Sequence, residues 1–164
     1  MREMLVLVDA DDRIVGSAPR SACHGQANLI HRAVHVLVYN SHKELYLQKR
    51  HESKLIQPGK WDSSVGGHLS PGESYRMAAL RETREELGFC PGHLTFLFTA
   101  QIRNKVESEN IRCYSTIFDG KISPNADEIS DGRFWAMRDI KASIPHDVFT
   151  PAFVEEIGPL LAGI

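Results

Sequence analysis

Residues Gly66–Phe89 read "GGHLSPGESYRMAALRETREELGF". Within this stretch the carboxylates of Glu82, Glu85 and Glu86 fall inside five residues. The pattern predicts a helix over about Ser74 to Leu87, ended by Gly88 as its C-terminal cap. At roughly 100° per residue the three acids project to one side of that helix, and Met77, Leu80 and Leu87 project roughly opposite, toward a core. Like charges at i,i+3 and i,i+4 cost a few tenths of a kcal/mol per pair on an exposed helix. Two explanations meet here. The acids are a solvated face paired with Arg81 and Arg84, as charge runs usually are. Or they are a platform for hard divalent cations, which take a few carboxylates plus waters and substrate phosphates.

The chain around this helix has 164 residues, enough for one domain with a real core, and it reads as a single domain over 1–164. Apolar residues make up 42% and charged residues 24%, which argues against disorder and fibrous repeats. A formal charge of −2 gives no global field toward nucleic acid polymers or an anionic membrane, so neither partner is expected. Cys23, Cys90 and Cys113 show no C-x-x-C spacing, which argues against a disulfide framework and for a reducing compartment. The apolar run near the N-terminus is five residues long before acids intervene, too short for a signal peptide or a membrane span. A cytoplasmic location is therefore expected.

Strands are predicted at Met4–Asp9, Ala33–Asn40, Glu44–Arg50, "WDSSVGG", Leu94–Ile102, Ile111–Phe118 and Arg133–Met137. The polar "RNKVESEN" is read as a connection. Thr150 and Pro151 mark the start of a terminal helix as cap and first helical residue, and Pro159 is expected to end or kink it. Strands on both sides of one central helix, with a helix at the end, make an α/β sandwich around a mixed sheet.

Read forward from Gly67, the opening stretch runs Gly67, five residues, Glu73, seven residues, Arg81-Glu82-Thr83, one residue, Glu85-Glu86, one residue, Gly88-Phe89. This resembles the Nudix box, G-x5-E-x7-R-E-U-x-E-E-x-G-U with U aliphatic; Thr83 is the one departure. The resemblance implies a Nudix fold, a mixed β-sheet in an α/β/α sandwich. It implies hydrolysis of a diphosphate in a small-molecule substrate, with roughly one to three Mg²⁺ or Mn²⁺ ions. Glu82, Glu85 and Glu86 match the metal ligands, the Gly67 carbonyl a backbone ligand, and Arg81 with Glu73 a supporting pair. Glu85 is one candidate base. Glu128, with Asp127 beside it in "NADEISD", is another, although it also reads as an exposed loop acid.

The flanks "VDADDRIVGSAPRSACH", "HRAVHV" and "PGKWDSSVGGH" resemble the Nudix subgroup around type I isopentenyl-diphosphate isomerase. That resemblance lays a second metal site on His24, His31, His68 and Glu109, a set that suits Zn²⁺ or Mn²⁺. It lays a diphosphate grip on Arg20, Arg50 and Lys54, which otherwise read as surface charge. It lays the isomerase's second glutamate on Ile111, and its proton-transferring cysteine on Gly66, which has no side chain. With the Nudix box intact, these two departures favour hydrolysis of a nucleoside diphosphate derivative or another small organic diphosphate. Isomerisation, and a module that holds a nucleotide without cleaving it, remain the alternatives. Trp61 and Tyr75 could stack a base or sugar but read first as packing residues. Oligomeric state is open, with a homodimer one option.

Overall fold

The computed structural model describes residues 3–163. Strands β1 (Met4–Val8) and β2 (Ile14–Pro19) form an antiparallel hairpin, its turn held by Asp9 Oδ1, which accepts from the backbone N–H groups of Asp11 and Arg13. The short helix α1 (Arg20–Cys23) leads into β3 (Ile30–Tyr39), the central strand. Next come β4 (Leu45–Arg50), β5 (Trp61–Asp62), β6 (Val65–His68) and the helix α2 (Tyr75–Leu87). The chain closes with β7 (Thr95–Arg103), β8 (Ser108–Ile117), β9 (Ile129–Trp135), α3 (Met137–Ser143), a 3-10 turn over Ile144–His146, and α4 (Pro151–Leu161).

The sheet is mixed because β3 runs parallel to β8, in unbroken register from Ile30–Ser108 to Tyr39–Ile117, and antiparallel to β1, β4 and β6. A strand presents alternate residues to opposite faces. From β3, Val34, Val36 and Val38 pack with Ala78, Ala79 and Leu87 of α2. Leu37 packs the other way, with Leu45, Leu47, Ile140 of α3, and Phe153 and Ile157 of α4. Helices thus cover both faces of the sheet, the sandwich expected from the sequence. Each fully buried Leu, Ile or Phe in these layers contributes about 1.5–3 kcal/mol.

The helix ends follow the sequence. Ser74 caps α2 by accepting from Met77 N–H, Gly88 ends it at φ 77°, and Thr150 caps α4 by accepting from Phe153 N–H. Several expectations need correction. The buried positions of α2 are Tyr75, Ala78, Ala79, Thr83, Glu86 and Leu87, so the core stripe is displaced from Met77, which is 56% exposed. Pro159 does not end α4, which runs on for two residues to Leu161. Pro159 and Glu155 both lie on the exposed side, where water can take the carbonyl that proline leaves without a partner. The end of "RNKVESEN" is strand rather than connection. Ser108, Glu109 and Asn110 open β8 and are buried, since Ser108 Oγ donates to the Ala27 carbonyl and Asn110 Nδ2 to Asp12 Oδ1. β2, α1 and α3 carried no readable signal: β2 exposes Ile14 and Val15, so it has no buried alternation to detect.

Candidate active site

Between α2, the ends of β4 and β6, and the loops after β4 and β7 lies an open groove of about 1140 Å³. Its acidic wall is α2. Arg81 ties that helix to the preceding loop. Its Nε and Nη2 donate to the two oxygens of Glu73, at 2.7 and 2.8 Å, and Nη2 also reaches the His68 carbonyl at 3.0 Å. Its Nη1 donates to Glu82 at 2.8 Å and to Glu85 at 3.1 Å. The Arg81–Glu73 fork is the supporting pair that the sequence pointed to, and it fixes where the carboxylates start from. Glu82 lies flat against β6 because Gly67 has no Cβ: a methyl group there would overlap the Glu82 carboxyl. Glu86 is buried and accepts from Gln48 Nε2 at 2.8 Å. Burial raises the pKa of Glu82 and pushes that of Glu86 up to about 8, over the opposing hydrogen bond from Gln48. Glu85 is the open one, with 54% of its side chain exposed. The acids therefore line a groove rather than a solvated face.

A second cluster sits at the end of β6. His24 follows α1, His31 is on β3, His68 ends β6 and Glu109 is on β8; one ligand atom from each lies within 4.8 Å of the others. Glu109 Oε1 accepts from His68 Nε2 at 2.9 Å and from His31 Nε2 at 3.2 Å. Burial opposes the Glu109 charge, but these two imidazoles outweigh it and hold the carboxyl far below the usual range. His24 is pushed down to about 4, first by burial and then by His68 and Arg20, so its ring is neutral. Its Nε2 is buried without a hydrogen-bond partner. An unpartnered imidazole nitrogen costs free energy. Aimed at two other imidazoles and a carboxylate, it fits a cation of the Zn²⁺ or Mn²⁺ kind.

Ile111, where the resemblance laid a second glutamate, is a buried core residue, 3% exposed. Two other carboxylates face the cluster: Glu107, whose oxygen is 3.9 Å from His24 Nε2, and Glu3, whose oxygen is 3.8 Å from His68 Nδ1. Two residues apart on extended backbone, Glu107 and Glu109 can point the same way, and that spacing was the signal available in the sequence. Burial, then the Glu109 charge, raises the Glu107 pKa.

The basic residues expected to grip phosphate also line the groove. Arg20 pairs with Glu3 at 3.0 Å, Arg50 with Asp62 at 3.4 Å, and Lys54 with Glu128 at 3.1 Å. Glu128 faces the groove across from Glu86, while Asp127 is not among its lining residues. Trp61 and Tyr75 are packing residues: Trp61 lies edge-on to Trp135 at 5.2 Å, and the buried Tyr75 hydroxyl donates to Asp12 at 3.0 Å. The three cysteines are free thiols.

A model of the NUDIX domain family matches residues 29–155, which include both clusters except His24. The chain belongs to the Nudix family. Among similar Nudix-type relatives, isopentenyl-diphosphate Delta-isomerase 2 of Photorhabdus laumondii is 36% identical over 98% of this chain and 93% of its own. An uncharacterized Nudix hydrolase of Pseudomonas aeruginosa, PA4841, is also 36% identical, over 80% of this chain and 78% of its own. The crystal structure of DR0079 from Deinococcus radiodurans superposes with a TM-score of 0.80 at 27% identity, covering 96% of this chain and 98% of that one. Among the described residues no helix is long and apolar enough to cross a membrane.

Proposed function

We propose that this Nudix protein is a divalent-metal-dependent hydrolase that cleaves a diphosphate bond in a nucleoside diphosphate derivative or another small organic diphosphate. One observation carries the reading: Glu82, Glu85 and Glu86 line the same groove as Arg20, Arg50 and Lys54, and the floor between them at Gly66 bears no side chain. In this reading Glu82, Glu85, Glu86 and the Gly67 carbonyl hold Mg²⁺ or Mn²⁺, kept in place by the Arg81–Glu73 fork. Bound there, such ions neutralise phosphate charge and acidify a water. Arg50 and Arg20 grip phosphoryl oxygens in bidentate fashion and Lys54 as a point charge. Glu85, the most accessible of the three acids, takes the proton of the attacking water; Glu128, held by Lys54, is the second candidate for that role.

The test is phosphate release from a panel of nucleoside diphosphates, sugar nucleotides, dinucleoside polyphosphates and isoprenoid diphosphates with Mg²⁺ or Mn²⁺. On a substrate that the wild type turns over, Glu85→Gln and Glu86→Gln should each lose most of the metal-dependent rate. Retention of that rate by both would sink the assignment.

Isomerisation of isopentenyl diphosphate is the second reading. It is favoured by the converging His24, His31, His68 and Glu109, by the unpartnered His24 nitrogen, and by the names of similar relatives. Glu107 supplies the further carboxylate that Ile111 could not, which removes one objection. The other stands: Gly66 cannot exchange a proton with carbon. Formation of the dimethylallyl isomer at an enzymatic rate would establish this reading over the first.

A further inference from the structure

The floor of the groove beneath Gly66 is not empty of chemistry. Gly66 pairs with His35 across β6 and β3, and a Cβ built at Gly66 would stand 3.3 Å from His35 Cδ2 and 3.4 Å from its Nε2. His35 lines the groove. Its other nitrogen, Nδ1, faces Glu156 Oε1 of α4 at 2.6 Å, so Nδ1 bears a proton. The second oxygen of Glu156 accepts from Ser63 Oγ. Both oxygens of this buried carboxylate are thus engaged, and the imidazole plane is set by a chain that starts on β6's approach and ends on α4. Nε2 has no hydrogen-bond partner among the described residues, and 16% of the His35 side chain is exposed. It is the nitrogen of the network left open to a ligand in the groove.

Ser63 is not placed as a nucleophile here, since its hydroxyl points to Glu156 and not to the imidazole. The neighbouring Asp62 accepts from Thr150 Oγ1 at 3.0 Å and pairs with Arg50. His35 and Arg50 therefore belong to one wall, His35 anchored through Ser63 and Arg50 through Asp62. That wall presents positive and proton-bearing groups to the space that Gly66 leaves open.

We propose that His35 is a substrate-contacting residue whose Nε2–H donates to a phosphoryl oxygen through the opening at Gly66, with Glu156 and Ser63 as positioning residues. This rests on the diphosphate reading of the groove and adds to it a ligand that neither the Nudix box nor the isomerase pattern supplied. It also gives Gly66 a positive role. Glycine there is an aperture, and any side chain would stand over Nε2. Burial disfavours a charged imidazole, but the Glu156 charge and hydrogen bond outweigh it and push the His35 pKa up to about 9, so the group facing the groove is a cationic donor at neutral pH.

Calorimetric titration of the full chain with inorganic pyrophosphate and Mg²⁺ tests this, with thermal unfolding in parallel. The wild type should bind. His35→Gln, which can still donate to Glu156 through its amide but has no second ring nitrogen to place a cationic N–H at the groove, should bind about tenfold more weakly or worse. Gly66→Ala keeps the His35–Glu156 pair, with the imidazole giving way by a few tenths of an ångström, and covers Nε2, so it should lose affinity similarly while unfolding close to the wild-type temperature. Its result decides the matter if His35→Gln does not fold. Variants that stay folded and bind pyrophosphate as tightly as the wild type overturn the inference while leaving the diphosphate reading intact. A wild type that does not bind pyrophosphate overturns the diphosphate reading, and the inference with it.

Discussion

Replacing Gly67 by alanine separates the groove's chemistry from its stability. Gly67 sits in β6 opposite Val34, and its backbone is not in the left-handed region, so alanine adds no φ strain. The new methyl would overlap the Glu82 carboxyl and nothing else is as near. A carboxylate at the end of a flexible side chain can swing away. Doing so breaks its 2.8 Å bond to Arg81 Nη1, a charge-assisted bond worth about 1.5–3 kcal/mol when shielded. Two effects offset that loss. Arg81 keeps Glu73, Glu85 and the His68 carbonyl, and alanine in a strand is favoured over glycine by about 0.5–1 kcal/mol. The net cost is about 1 kcal/mol, or about 2–4 °C in Tm for a chain of this size. Catalysis has no such compensation: a ligand displaced by an ångström or more costs about a hundredfold in turnover. Thermal unfolding and Mg²⁺-dependent phosphate release are measured on the same preparation. A Gly67→Ala protein that keeps wild-type turnover and Mg²⁺ half-saturation refutes the role given to Glu82; one that fails to fold refutes the reasoning about where the methyl goes.

Gly88 ends α2 at φ 77° with the Ser123 carbonyl 3.0 Å from where a Cβ would stand, so Gly88→Ala should destabilise by about 1–2 kcal/mol in urea unfolding without altering metal dependence. Arg81→Lys loses the fork on Glu73 and should cut turnover about tenfold or more, with circular dichroism unchanged. Glu156→Gln leaves His35 without its carboxylate and should cost about 3 kcal/mol at pH 6 by urea unfolding. The His35 contribution also has a pH signature. Its folded pKa, about 9, lies above the ordinary 6.5, so the stabilisation, about 3 kcal/mol, is complete below pH 6.5 and is lost as pH rises through 9. Glu156, whose pKa is lowered, keeps its share above its ordinary 4.5 and loses it in acid. Asp62, Cys113 and Glu109 also face this pair, so the measured quantity is the slope of stability with pH from 6.5 to 9 in wild type minus that in Glu156→Gln, which should be clearly negative: the wild type loses stability as pH rises more steeply than the variant.

Local chemistry made some elements legible before any coordinates. Ser74, Gly88, Thr150 and Pro151 marked helix ends because capping is settled by residues a few positions apart. The β-branched run Ala33–Val38 marked the central strand, since no helix period fits it. What escaped was polar sequence made into structure by distant partners. Ser108, Glu109 and Asn110 look like loop, yet each is buried because Ala27, His31 and Asp12 satisfy it. Met77 misled for a related reason: the apolar stripe of α2 is set by which residues meet β3, and small Ala78 and Ala79 allow the closer approach.

The same division runs through the groove. By itself, the sequence determined the α2 side: Glu73, Arg81, Glu82, Glu85 and Glu86 are spaced by one helix and its own loop, and local geometry is enough to put them on one wall. Only the tertiary structure decided the other side. It brought His24, His31, His68 and Glu109 within reach from four elements, replaced Ile111 with Glu107 as the further carboxylate, and set His35 on Glu156, 121 positions away in the chain, beneath Gly66. Sheet pairing and packing fix those distances, and neither is a property of any short stretch of residues.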